Sequence, residues 1–253
     1  MFDCINLRVG QLSLAASVAG DASRPALLLL HGWPHSRALY DGVIEPLSAD
    51  FFVLAVDLPD VGEWRGSLAS AEKAELADIM LAAAESAGAQ NIIITGVDVG
   101  GMIAFAAARD HGARIAAAIV INTVIPGIEP WSKIIADPRI WHFAFHAIPD
   151  LPELLVTGHE RVYFDFFHNA LSGDPKRIPD ALRAQFVGAY QRREALGAGF
   201  DWYRAMSKDR NETASTNGPQ RLCSMCAAMP IGGRSRLISK DWRRPASHAS
   251  NTV

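Results

Sequence analysis

The stretch that most constrains this chain is Thr95-Gly96-Val97-Asp98-Val99-Gly100-Gly101, which follows the apolar run Asn91-Ile92-Ile93-Ile94. A β-rich run, a glycine-flanked turn and then Met102-Ile103-Ala104-Phe105-Ala106-Ala107-Ala108 read as strand, sharp turn and helix. The glycines at 96 and 100 fit a turn too tight for side chains beside the exposed residue. That residue is Asp98, a carboxylate ionised at neutral pH that needs no base to become a nucleophile. It can attack an sp³ carbon, opening an epoxide or displacing a halide. Gly-x-Asp-x-Gly alone is also found in calcium loops and plain turns, so the surrounding sequence has to decide.

Upstream, Ala26-Leu27-Leu28-Leu29-Leu30 is a short continuous apolar run, the pattern of a strand buried on both faces. It leads directly into His31-Gly32-Trp33-Pro34. A helix-compatible segment from about Ser36 to Ala49 follows, then a second strand, Phe51-Phe52-Val53-Leu54-Ala55-Val56, ending in Asp57-Leu58-Pro59-Asp60-Val61-Gly62. Ser70 is placed to cap a helix with Leu76, Ile79, Met80 and Ala83 on one face and Gly88 near its end. The next strand is Arg114 to Asn122. Residues around 5–10 and 12–19 suit an antiparallel hairpin at the sheet edge.

This ordered set (strand, His-Gly-x-Pro, helix, strand, Asp-x-Pro loop, helix, strand and elbow) resembles the α/β-hydrolase fold in its epoxide hydrolase and dehalogenase branch, over roughly residues 5 to 208. The resemblance implies a mostly parallel twisted sheet flanked by helices, with a helical cap inserted after a core strand. Residues 1–125 would form the core. Residues 126–200, rich in aromatics and prolines without strand alternation, would form the cap, and 201–210 would return to the core.

The cap segment carries a second cluster. Trp141-His142-Phe143-Ala144-Phe145 and Phe200-Asp201-Trp202-Tyr203-Arg204 are similar to the cap of epoxide hydrolases related to a secreted bacterial type. There, a His and a Tyr donate hydrogen bonds to the epoxide oxygen; the matching positions are His142 and Tyr203. Ring opening makes an alkoxide, which leaves poorly unless such donors stabilise it. The resemblance also implies an oxyanion hole from the backbone N–H groups of Trp33 and Val99. The acid that orients a catalytic histidine can sit at the end of the strand after the elbow, where this chain has Asn122.

The chain departs from the pattern at Val97, where His is common, at Asp60, where Gly is usual, and at Trp64, where Ser is usual. Haloacid dehalogenases carry arginines just after the nucleophile and haloalkane members usually place Trp there. Val99 and Met102 at these places favour an uncharged epoxide over a halide. After about Asp209 the expected acid loop, last strands, Gly-His turn and closing helix are not recognisable. Residues 221–253 hold six Lys or Arg against one acid and no amphipathic period. This composition suits a frameshifted C-terminus or a basic, disordered tail over 211–253. The last histidine is His248, and Cys223-Ser224-Met225-Cys226 lacks the second pair of a zinc site. A third reading is therefore a non-catalytic, truncated hydrolase, and turnover is expected to be impaired.

Composition sets the remaining bounds. With 253 residues, 49% of them hydrophobic, one large core and a small extra layer can be buried. A net charge of −3 gives no pull toward nucleic acid or acidic membranes. Three cysteines make no disulfide framework, and neither a signal peptide nor a membrane span is visible, so a cytoplasmic location is expected. The expected partner is a small uncharged apolar epoxide or halide, with no cofactor and no metal; a homodimer is compatible with the sequence.

Overall fold

The computed structural model describes residues 2–64, 66 and 68–216. His248, Cys223, Cys226 and most of the basic tail lie outside the described residues. Six strands form one sheet in the order β1-β2-β4-β3-β5-β6. They are β1 (Asp3–Val9), β2 (Leu12–Ala19), β3 (Pro25–Leu30), β4 (Phe52–Val56), β5 (Gln90–Val97) and β6 (Ile115–Ile121). The edge hairpin β1–β2 is antiparallel and β2 pairs antiparallel with β4, whereas β4, β3, β5 and β6 run parallel.

The continuous apolar run in β3 is used on both faces. Leu28 and Leu30 join the large core with Leu54, Val56 and Ile94, while Leu27 and Leu29 join a second cluster with Val53, Ala55 and Ile44. Side chains alternate across a strand, so a strand sandwiched between helices must be apolar at every position. Ile44 comes from α1 (Asp41–Leu47), which a 3₁₀ turn over Arg37–Tyr40 precedes. The large core is covered by α2 (Lys73–Ser86) and α3 (Val99–Asp110), packed on each other and, in α3, on β5 and β6.

The start of α2 differs from the expectation. Ser70 lies outside the helix, and its Oγ accepts from the Glu72 N–H at 3.0 Å. The Lys73 N–H is met instead by Asp209 Oδ1 at 2.9 Å, and Lys73 Nζ lies 2.8 Å from Asp209 Oδ2. A carboxylate at a helix N-terminus satisfies a free N–H and complements the dipole. Here it is supplied from far along the chain.

After β6 the chain is helical: α4 (Trp131–Ile135), α5 (Trp141–His146), α6 (Leu151–Val156), α7 (Glu160–Leu171), α8 (Asp180–Ala189), α9 (Arg193–Arg204) and α10 (Met206–Ser215). The composition change near 210 does not end this structure. Helix α10 continues to Ser215, held to α3 by Arg109, whose guanidinium reaches Glu212 at 3.1 Å and Thr213 at 3.2 Å. No helix of the described residues is long and apolar enough to cross a membrane.

Candidate active site

The turn between β5 and α3 forces Asp98 into φ 54°, ψ −123°, a conformation that L-residues other than glycine rarely adopt. Its glycines are required by contact. A Cβ at Gly96 would fall 2.0 Å from the Gly100 oxygen, and one at Gly100 would fall 2.3 Å from the Leu30 oxygen. Gly32, in the loop just after β3, lets the two loops meet, since a Cβ there would lie 2.4 Å from Asp98 Cβ. The loop after β3 therefore touches the elbow directly, and the Trp33 N–H donates to Asp98 Oδ1 at 2.9 Å.

Burial pushes the Asp98 carboxyl up to about 6, opposed by hydrogen bonds from the Val99 and Trp33 N–H groups and by the charge of Lys73. The N-terminus of α3 adds its dipole in the same opposing sense. Asp98 is consequently ionised at neutral pH but close enough to titration for mild acid to protonate it.

The histidine at 31 holds the loops and stays neutral. Its Nε2 accepts from the Leu58 N–H at 2.9 Å, so Nδ1 carries the proton and donates to the Gly32 oxygen at 2.9 Å. Burial lowers its pKa against the nearby Asp57 charge. The Asp57 carboxylate, 3.9 Å from His31, instead takes the backbone N–H of Arg37 at 2.8 Å together with the Arg37 guanidinium.

Asp98, Trp33, Asn122, His142 and Tyr203 all line one cavity of about 390 Å³. Val99 contributes its backbone N–H to Asp98 while its side chain is buried in the core. Asn122 follows β6 with φ 51°, a left-handed conformation that Asn tolerates better than most residues. His142 is on α5 and Tyr203 on α9, with ring centroids 6.1 Å apart. Burial lowers His142 to about 4 and raises Tyr203 well above the usual phenol range, a shift to which the Asp98 charge adds. Both are neutral at pH 7 and retain a proton to donate. The sites predicted on widely separated segments are thus brought to one cavity.

Sequence reasoning missed the aromatic and histidine side chains that pack behind these groups. Trp33 sends its indole into the helices, where ring centroids lie 4.5 Å from His146 and 4.9 Å from Phe167. His146 falls four residues after His142 on α5, so the two share a face. Its Nε2 pairs with the Tyr163 hydroxyl at 2.8 Å, and its ring lies 4.5 Å from Tyr203. The spacing Trp-His-x-x-x-His was a signal available in the sequence. Two further cavity residues, His35 and His168, had none.

The chain matches the α/β-hydrolase fold family over residues 25–213. It belongs to that family. Among curated relatives, the chain is 26% identical over 194 residues to a soluble epoxide hydrolase from Corynebacterium sp. (strain C12), covering 74% of this chain and 67% of that protein. It is 30% identical over 152 residues to epoxide hydrolase 4 of Mus musculus, covering 55% of this chain and 40% of the mouse protein. Among solved structures, Cfl2 from Burkholderia cenocepacia superposes with a TM-score of 0.76 at 28% identity, covering 84% of this chain and 74% of that one. Family membership makes a hydrolase the general expectation, with an Asp elbow where esterases of the fold carry a serine.

Proposed function

We propose that this protein opens small uncharged epoxides through an ester on Asp98. One observation carries the reading: the Asp98 carboxylate, fixed by the Trp33 N–H, shares its cavity with His142 and Tyr203, two buried donors that remain protonated at neutral pH. The oxygen held by Trp33 is oriented, which leaves the other carboxylate oxygen to attack an oxirane carbon. The carbon–oxygen bond breaks toward the ring oxygen. Hydrogen bonds from Tyr203 and His142 stabilise the alkoxide until it is protonated. In the second step water attacks the ester carbonyl, and the N–H groups of Trp33 and Val99 serve as an oxyanion hole for the charge that develops. Release as a diol needs a base for that water, and His248 lies outside the described residues. The helices from α4 to α9 act as a cap that excludes bulk water from the ester.

Styrene oxide tests the first step. Peptide mapping by mass spectrometry after incubation should show the added mass on the peptide containing Asp98 and its loss in Asp98→Asn. Labelling at another residue, unchanged by Asp98→Asn, would overturn the assignment.

A further inference from the structure

A buried ion pair that the reaction above does not use stands behind the cavity wall. Lys73 is 2% exposed and Asp209 4%, and neither lines the cavity. Lys73 Nζ donates to Asp209 Oδ2 at 2.8 Å and also to the Trp202 carbonyl, while Asp209 Oδ1 accepts from the Lys73 backbone N–H at 2.9 Å. One ammonium thus ties the start of α2 to the last turn of α9 and to α10. We infer that Lys73 and Asp209 are positioning residues, which fix Tyr203 against Asp98 by anchoring the carbonyl of the residue before it. The inference rests on the epoxide reading, which gives Tyr203 its donor role, and adds the residues that hold the donor in place.

The first argument is where the anchored carbonyl lies. The last four carbonyls of an α-helix have no partner within it, and Trp202 is third from the end of α9. Trp202 is closed to solvent, so its carbonyl cannot turn to water, and Lys73 is what meets it. The Trp202 ring is fixed as well. It stands edge-on to His31 with centroids 6.2 Å apart, and His31 Nδ1 donates to the oxygen of Gly32, next to the Trp33 N–H that holds Asp98. Trp202 is therefore held through its backbone by the pair and through its ring by the loop that orients the nucleophile.

Tyr203 follows directly, and its own side chain has no polar tether. Among the described residues no group hydrogen-bonds its hydroxyl, so the backbone and the surrounding rings aim it. Those rings are His146 at 4.5 Å and Trp33 at 6.2 Å. A donor to a developing alkoxide has to be placed closely, since a displacement of about 1 Å can slow a reaction by about a hundredfold. Lys73 also supports the Asp98 charge. The two roles separate experimentally, because a loss of charge support slows attack equally with and without the Tyr203 hydroxyl.

The test is a double-mutant cycle read on the labelling of Asp98 by styrene oxide. Lys73→Met with Asp209→Asn removes the tie to the Trp202 carbonyl, keeps an acceptor for the N–H of residue 73 and leaves no unpaired buried charge. The maximal labelling rate should fall about tenfold, with the half-saturating epoxide concentration unchanged because the cavity lining is intact. In that background Tyr203→Phe should slow labelling by no more than about tenfold, against about a hundredfold in the otherwise wild-type chain. A donor already out of place has less to lose. A Tyr203→Phe effect that stays at about a hundredfold, or an unchanged rate in the double variant, would overturn the inference. Asp209→Asn alone, which frees the ammonium from its second anchor, repeats the cycle should the double variant fail to fold, as judged by circular dichroism. No labelling of Asp98 in the wild type would sink the epoxide reading instead. Amide hydrogen exchange then reads the tie by itself: the double variant should exchange faster in peptides from α9 and at the wild-type rate in the β1–β2 hairpin. Unchanged exchange in α9 would mean that Lys73 anchors nothing there.

Discussion

Replacing Asp98 by Asn should stabilise the protein at neutral pH, by an amount that depends on pH in a defined way. In the folded protein burial raises the carboxyl from its ordinary 3.8 to about 6. Below pH 3.8 it is protonated in both the folded and unfolded chains, and the charge has no effect on stability. Between these values the unfolded chain has released a proton that the folded chain keeps, so stability falls as pH rises. Above about 6 both forms are ionised and the loss is complete. At about 1.4 kcal/mol per pH unit, the full loss is about 3 kcal/mol. The Asn amide keeps an oxygen for the Trp33 and Val99 N–H groups and carries no charge, so it removes this cost. For a domain of this size the gain corresponds to a rise in Tm of about 6–12 °C. Scanning calorimetry of both proteins from pH 4 to 8 isolates the effect, because every other titrating group cancels in the difference. The Tm difference should be small near pH 4, grow to about pH 6 and then hold. A difference independent of pH, or one that shrinks as pH rises, would refute a raised carboxyl at Asp98.

Two further outcomes follow from buried polar contacts. Lys73→Met leaves the Asp209 carboxylate, 4% exposed, without its ammonium, and should cost about 3–5 kcal/mol in urea unfolding. Lys73→Met combined with Asp209→Asn should recover most of that, because Asn still accepts from the backbone N–H at position 73; a single variant within about 1 kcal/mol of wild type would show the pair to be incidental. Tyr203→Phe should slow Asp98 labelling by styrene oxide by about a hundredfold with an unchanged circular dichroism spectrum, whereas an unchanged labelling rate would remove Tyr203 from the reaction.

The parts of this fold that could be read in the sequence were those that local physics dictates. β3 and β4 are buried on both faces and appear as uninterrupted apolar runs. The elbow is legible because Gly96 and Gly100 have no room for a Cβ, whatever the rest of the chain does. The start of α2 was misread because its partner, Asp209, lies 136 residues away and leaves no mark near Ser70. Helix α10 is polar and has little amphipathic character, so it looks like the beginning of a tail. Contacts to Lys73 and Arg109 keep it in place. For the cavity, Trp141-His142 and Tyr203 stood out by resemblance, while His35 and His168 did not. A buried histidine without a partner is indistinguishable in sequence from a satisfied one. Asp60 shows a departure with a physical consequence: at the place where Gly is usual, it adopts φ 64°. The chain accepts the strain there with a residue that tolerates the left-handed region comparatively well.

Burial acts in opposite directions on the groups around the cavity, and that opposition makes the chemistry self-consistent. A low-dielectric site disfavours every charged form, so it raises a carboxyl, raises a phenol and lowers an imidazole. If the effect were equal on all, Asp98 would also be neutral at pH 7 and unable to attack. It escapes because its charge alone is met by local compensation: two backbone N–H groups, a helix N-terminus and, at longer range, Lys73. His142 and Tyr203 receive no such support for their charged forms. The result is an interval, opening near pH 6, in which Asp98 is an anion while His142 and Tyr203 hold their protons, as the proposed mechanism requires. The elbow supplies that asymmetry through the same tight backbone that strains Asp98. Under the proposed mechanism, the cost of a carboxylate in this low-dielectric turn would be relieved on conversion to a neutral ester, so the features that destabilise the resting protein would favour the alkylation step.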